Sequence, residues 1–289
     1  MRLQEKLAAG EFVVLAEMEP PKGADVSAMA ACALGVKGRV DACLVPEMSS
    51  GVMRMSSLGG AMVLASRGLE TVIQACCRDR NRLALQGDLL AAHALGIANV
   101  MAVTGEDITH GDHPKAKAVN DLDLWGLLGA IQSLMAGKDH SGIELKGAPA
   151  FFVGATVNPG APDPEVELAD LDRKLAAGAR FFITPPIFDP GVLEGFAARL
   201  GNRPAHLIPT VLLLKSVGMA RYLQRHMPHI AVPENLVDRI QKAPERVREC
   251  VLIAGELLAA FKERGASGVL LSTIGWEDKL PAILAAAGA

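Results

Sequence analysis

The sequence predicts an α/β fold, specifically a (β/α)8 TIM barrel. Three observations lead there. Eight short apolar runs rich in β-formers alternate with longer helical patterns along the whole chain. The runs are apolar throughout instead of alternating, as strands of a parallel sheet covered on both faces are. The 289 residues are a usual length for one such barrel, and no Gly/Ser- or Pro-rich linker divides them, so a single domain over residues 1–289 is expected.

The first run, FVVLAE (12–17), leads into ADVSAMAACALG, and ACLVP (42–46) leads into VMRMSSLGGAMVLASRG. TVIQAC (71–76) precedes RNRLALQGDLLAAHALG, where Leu83, Leu85, Leu89, Leu90, Ala94 and Leu95 recur at helical spacing. NVMAVT (99–104) is followed by a polar loop and then DLDLWGLLGAIQSLMAG. AFFVGAT (150–156) leads into PDPEVELADLDRKLAAG, which opens with the Pro and acids that a helix N-terminus favours. RFFIT (180–184) leads into PGVLEGFAARLG. HLIPTVLLL (206–214) is followed by two helical stretches, one opening after Pro233 and one reading RVRECVLIAGELLAAFKERG. GVLLST (268–273) leads into the short helix in WEDKLPAILAAAG.

Composition narrows the function classes. Half the residues are hydrophobic and 21% are charged, which suits a large core and argues against disorder. A net charge of −3 and few aromatics offer neither a basic footprint nor a stacking platform for nucleic acid. No apolar stretch is long enough for a membrane span, and the N-terminal run is too short for a signal peptide, so a cytoplasmic protein is expected. The five cysteines lack CxxC spacing and read as reduced structural thiols. HGDH (110–113) has a two-histidine spacing without a third ligand nearby, so it reads as a loop and no metal is expected. GxGxxG and GxxxxGK[ST] are both absent, which removes the usual dinucleotide and P-loop readings.

In a barrel of this kind the C-terminal strand ends and the loops after them build the active site. The polar residues there are Glu17 and Glu19, Glu47, the Arg78–Arg82 knot, TGED (104–107), TVNPG (156–160), TPP (184–186), Lys215 and STIGWED (272–278). Fold alone does not name a reaction.

At these positions the chain resembles the methylenetetrahydrofolate reductase family, in particular its short single-domain bacterial branch. The resemblance rests on five blocks in order: AEMEPPKGAD (16–25), CRDRNRLALQGDLLAAHALGIANVMAVTG (77–105), GDHPKAKAVNDLDLWGLL (111–128), GATVNPGAPDPE (154–165) and RKLAAGARFFIT (173–184). It implies a barrel that binds FAD across its top. It further implies reduction of the flavin by NADH, NADPH or an electron-donating partner protein, and delivery of hydride to 5,10-methylenetetrahydrofolate to give 5-methyltetrahydrofolate. A homo-oligomer is compatible with it.

The resemblance also assigns roles. Glu17 matches the acid of the family's ExxPP motif, here EMEPP, and would protonate N10 of the folate so that its five-membered ring opens to an iminium. Its apolar flank, Ala16 and Met18, would raise its pKa by desolvation; a strand-end Glu facing water is the plain alternative, and Glu19 is a rival. Arg80 is a candidate for flavin phosphate, against a loop-stabilising Arg–Asp pair, and Asn81 reads as a helix cap. Thr104 and Gly105 match the turn that approaches the flavin, and Glu106 stands where the family has a pterin-binding Asp, with Asp107 next to it. Lys174 matches a lysine reaching a flavin phosphate, against a surface pair with Asp170. Pro185 occupies the position of a pterin-binding Gln, and Asn120 that of an aromatic, so three ligand-facing positions differ from the family. These differences keep two alternatives open: a same-fold enzyme using another one-carbon carrier or no flavin, and a non-catalytic folate-binding subunit.

Overall fold

The structure, a computed structural model, describes residues 2–227 and 230–288. Eight parallel strands, β1 (Val13–Glu17), β2 (Ala42–Val45), β3 (Thr71–Cys76), β4 (Asn99–Val103), β5 (Phe152–Thr156), β6 (Phe181–Pro186), β7 (His206–Leu212) and β8 (Gly268–Ser272), pair in sequence order, and β8 returns to β1 to close a barrel. The helices are α1 (Leu3–Ala8), α2 (Ser27–Val36), α3 (Ser57–Ala65), α4 (Arg82–Ala94), α5 (Leu124–Met135), α6 (Pro164–Ala176), α7 (Pro190–Ala197), α8 (Val217–His226), α9 (Glu234–Lys242), α10 (Arg246–Glu263) and α11 (Leu280–Ala286). The predicted (β/α)8 barrel is therefore the observed fold.

Two helices go beyond the periodicity of the sequence. Six-residue α1 is too short to hold itself together. It is fixed by burying Leu3 and Leu7 in the apolar interior of the barrel, while Lys6 pairs with Asp41 and the Leu3 amide donates to Glu70 at 2.9 Å. Helix α8 buries only Ala220 and Leu223, so its apolar face is narrow.

The apolar residues form two layers. Inward-facing Leu15, Leu44, Val72, Met101, Phe152, Ile183, Ile208 and Leu270 fill the barrel, and the alternate strand residues pack under the helices. This two-sided burial is why the strands read as continuous apolar runs. Short polar caps then start the helices on cue: Asn81 accepts from the Leu83 and Ala84 amides, Asp163 from Glu165 and Val166, and Asp189 from Gly191.

Strand β6 ends irregularly. Ile183 pairs with Ile208 but Pro186 pairs with Thr210, so β6 holds one extra residue. Pro185 and Pro186 have no N–H to give the ladder. Two threonines take over: the Thr210 hydroxyl donates to the Thr184 carbonyl at 2.6 Å, and the Thr210 amide donates to the Thr184 hydroxyl at 3.2 Å.

The interior has no slack at Gly154, where an added Cβ would lie 2.2 Å from the Phe181 ring, itself packed on Phe152. Gly154→Ala is expected to lower stability by about 1–3 kcal/mol through overpacking, read as a lower denaturant midpoint with an unchanged slope.

Candidate active site

The strands set down Glu17, Glu47, Arg78, Thr104, Thr156, Pro185 and Ser272 around one rim, at or just beyond the C-terminal ends of β1, β2, β3, β4, β5, β6 and β8. A cleft of about 320 Å³ opens there, lined by Glu17, Gln74, Thr104, Gly105, Glu106 and Thr156 among others.

Glu17 is inward-facing and accepts a hydrogen bond from the Ser272 hydroxyl at 2.8 Å across the β1–β8 seam. Part of its side chain is exposed, yet protein surrounds the carboxyl at longer range, and that surrounding governs its charge. Desolvation pushes its pKa up to about 7; the Ser272 bond pulls the other way, and Glu19, Glu277 and Glu106 add like-charge repulsion. The rival acid, Glu19, is raised by burial too, but it is ion-paired with Arg54 at 3.0 Å.

Arg78 is a clamp. Only 3% exposed, it grips Asp79 bidentately, Nε and Nη2 each at 2.7 Å. It also donates to the carbonyls of Met48 at 3.0 Å and Glu106 at 3.1 Å. Its own amide reaches the Thr104 carbonyl and its carbonyl accepts from the Val119 amide. The loops after β2, β3 and β4 are thus tied to one guanidinium. Gly105 fits against it with φ +90°, and an added Cβ would lie 2.6 Å from Cβ of Arg78 and 2.7 Å from Sγ of Cys76. Further out, Asp112 gathers Lys22 from the loop after β1 and the Met53 amide from the loop after β2. This is the work of HGDH, and no group of three or more metal-ligating side chains occurs among the described residues.

The other predicted residues fall as follows. Arg80 lies between Glu47 at 3.2 Å and Asp88 at 3.1 Å, under the rim. Lys174 is 5% exposed and bonds both the Thr156 carbonyl at 2.8 Å and Asp170 at 2.5 Å. Thr104 and Gly105 border the cleft, and the Glu106 carboxylate accepts from the Ser50 amide. Asp107 caps the 3-10 turn Ile108–His110 instead of facing the cleft. Pro185 lies in the β6 bulge, between inward-facing Ile183 and Pro186, which takes up the register opposite Thr210. Asn120 has φ +44°, a left-handed backbone that Asn tolerates better than an aromatic, which accounts for its residue type. Cys43, Cys76, Cys77 and Cys250 are buried thiols outside any disulfide, with pKa values raised by burial, and the Cys76 thiol donates to the Thr104 carbonyl at 3.7 Å.

Sequence reasoning passed over Ser272 as a partner for Glu17, and Gln74 altogether. The signal for Gln74 was present: within TVIQAC it is the one large polar side chain, in phase with inward-facing Val72.

A profile of the family described as "Methylenetetrahydrofolate reductase" matches residues 2–288. The chain belongs to the methylenetetrahydrofolate reductase family. This is a family of oxidoreductases. A curated relative, "Methylenetetrahydrofolate reductase 2" of Schizosaccharomyces pombe, is 24% identical over 173 residues, 58% of this chain and 26% of that protein. The chain thus matches about a quarter of the length of that relative. Two crystal structures of 2,3-dimethylmalate lyase superpose with TM-scores of 0.54 and 0.53 at 12% identity, covering 97% and 99% of this chain and 82% and 81% of theirs. They share the barrel. No helix among the described residues is long and apolar enough to cross a membrane.

Two expectations follow from the site. Arg78→Lys keeps the charge but cannot reproduce the fork, so stability falls by about 2–3 kcal/mol and amide exchange in residues 104–121 quickens ahead of the strands. Because folding raises the pKa of Glu17 from 4.5 to about 7, its contribution is intact below pH 4.5 and is lost as pH rises through 7. Glu17→Gln should therefore gain on the parent over that window, by on the order of 3 kcal/mol, in denaturation midpoints measured from pH 4 to 8.

Proposed function

We propose that this enzyme reduces 5,10-methylenetetrahydrofolate to 5-methyltetrahydrofolate with FAD as cofactor. The observation that supports this most is Glu17, a carboxyl poised near pH 7 at the mouth of the barrel and bonded to a neutral hydroxyl instead of a cation. A protonated carboxyl can give its proton to N10 of the folate. The bond from N10 to the one-carbon unit then breaks, and the lone pair of N5 forms the electrophilic iminium that accepts hydride. The Glu17 carboxylate left behind retains the Ser272 hydroxyl as a donor. A pKa close to the working pH suits both giving and regaining the proton.

The donors that would hold a flavin diphosphate are Lys174 and Arg80, which lie outside the lining of the cleft. Lys174 has two of its three N–H groups engaged, and Arg80 uses Nε and Nη2 on Asp88 and Glu47, which leaves its Nη1 for an anion. Thr104 and Gly105 would face the ring. FAD, when bound, supplies the reducing equivalents, renewed by NADH, NADPH or an electron-donating partner protein. Pro185 favours a second reading, in which the same acid serves a different one-carbon carrier, because the β6 position offers no polar side chain to a pterin.

Glu17→Gln should leave flavin content and its reduction unchanged while folate-dependent reoxidation falls about 10²–10⁴-fold, the usual weight of a positioned acid. Reoxidation at the parental rate would overturn the role of Glu17, and a colourless protein that FAD cannot reconstitute would overturn the flavin.

A further inference from the structure

The polar side chains of α4 are all taken up by its own chain. Arg82 is ion-paired with Asp121 at 2.9 Å, and Asp88 with Arg80 at 3.1 Å. Gln86 donates to the Arg82 carbonyl at 2.9 Å and accepts from the His140 amide at 2.7 Å. Nδ1 of His93 accepts from the Ala150 amide at 3.4 Å, and the ring meets Phe151 edge-on. Leu85, Leu89 and Ala92 form the buried face. What remains for the opposite face is Leu83, Gly87, Leu90 and Ala94, all exposed, Leu83 to 75%. A surface helix normally carries its charges there, as α6 does with exposed Glu165, Asp172 and Arg173.

Gly87 is the second oddity. Glycine in a helix interior weakens the helix. This one has no left-handed φ, and nothing of its own chain lies within 4 Å of where a Cβ would stand. Neither the backbone nor packing inside the chain therefore calls for glycine. Close approach of something from outside does.

The spacing says what that is. The four positions follow one another at steps of four, three and four, which places them in one stripe about 16 Å long. These steps read the same in both directions. Two copies of α4 laid antiparallel about a two-fold axis therefore set Leu83 of one copy opposite Ala94 of the other, and Leu90 opposite Gly87. Each large side chain meets a small one, whereas parallel copies would set leucine on leucine and leave a gap at the glycines. Charge favours the same arrangement. Antiparallel helices bring the N-terminal end of one dipole to the C-terminal end of the other, and Arg82 and Asp88 are already neutralised at the flanks.

We propose that α4 is a docking surface for a second copy of this chain, joined antiparallel through Leu83, Gly87, Leu90 and Ala94. It does not rest on the proposed reaction. The stripe by itself is smaller than the roughly 800 Å² per partner of a standard interface, so the pairing is reversible, with a Kd on the order of 10 µM.

Sedimentation velocity on the full chain, from about 1 to 200 µM to span that constant, should show a monomer passing into a dimer. Leu83→Glu, at an exposed position, should weaken the association at least tenfold. Cross-linking reads the orientation. Leu83→Cys and Ala94→Cys, oxidised as a mixture, should give a disulfide-linked dimer, and neither alone should, because like positions in the antiparallel pair stand about 16 Å apart. The parent, with Cys43, Cys76, Cys77 and Cys250 buried, is the blank. A parent that stays monomeric throughout, an association that Leu83→Glu leaves unchanged, a mixture that does not cross-link, or a variant that cross-links alone would each overturn the proposal. The cysteine pair decides the matter even if Leu83→Glu fails to fold.

Discussion

The mouth of this barrel depends on one buried guanidinium. A strand end contributes two or three residues to a rim and leaves the following loop to find its own place, and loops after neighbouring strands have no ladder to align them. Arg78 supplies that alignment with a planar fork whose N–H groups reach Asp79 and the carbonyls of Met48 and Glu106. Without it, the Glu106 carbonyl and the Asp79 carboxylate would lose their donor, and the Met48 carbonyl would keep only the Gly51 amide at 3.0 Å. The contact of Gly105 against Cys76 and Arg78, and the Ser50 bond to Glu106, follow from the geometry it imposes.

The same arrangement governs charge. Arg78 neutralises Asp79, Arg80 neutralises Glu47, Arg54 neutralises Glu19, and Lys174 neutralises Asp170. These four cations are therefore drawn towards other carboxylates, and Glu17 has a hydroxyl for its direct partner. Desolvation dominates its titration for that reason. A cation in contact would offset desolvation and hold it ionised at neutral pH.

The barrel was legible in the sequence because its causes are local and repeated: two-sided burial makes each strand apolar, and Asn81, Asp163 and Asp189 mark helix starts where a side-chain oxygen must satisfy bare amides. The raised pKa of Glu17 was legible as well, through its apolar flanks. The rest depends on partners far away in the chain. Nothing near Arg78 in sequence predicts that it meets Met48 and Glu106, and nothing near Arg80 predicts that Glu47 and Asp88 flank it. The bulge at Pro185 shows only once β7 is beside it. Helix α1 was missed because six residues carry too little periodicity, its stability coming from the barrel it closes.

The bond between Ser272 and Glu17 joins residues 255 positions apart. It can form only after the last strand has docked against the first. Loop closure over such a separation is entropically costly and comes late in assembly, when most of the remaining topology is already in place. The polarity of the acid's surroundings is thus tied to the completion of folding. A partly assembled barrel, open at the β1–β8 seam, would leave this carboxyl in water as an ordinary acid, ionised at neutral pH, and chemistry that needs it protonated would be confined to chains that have closed.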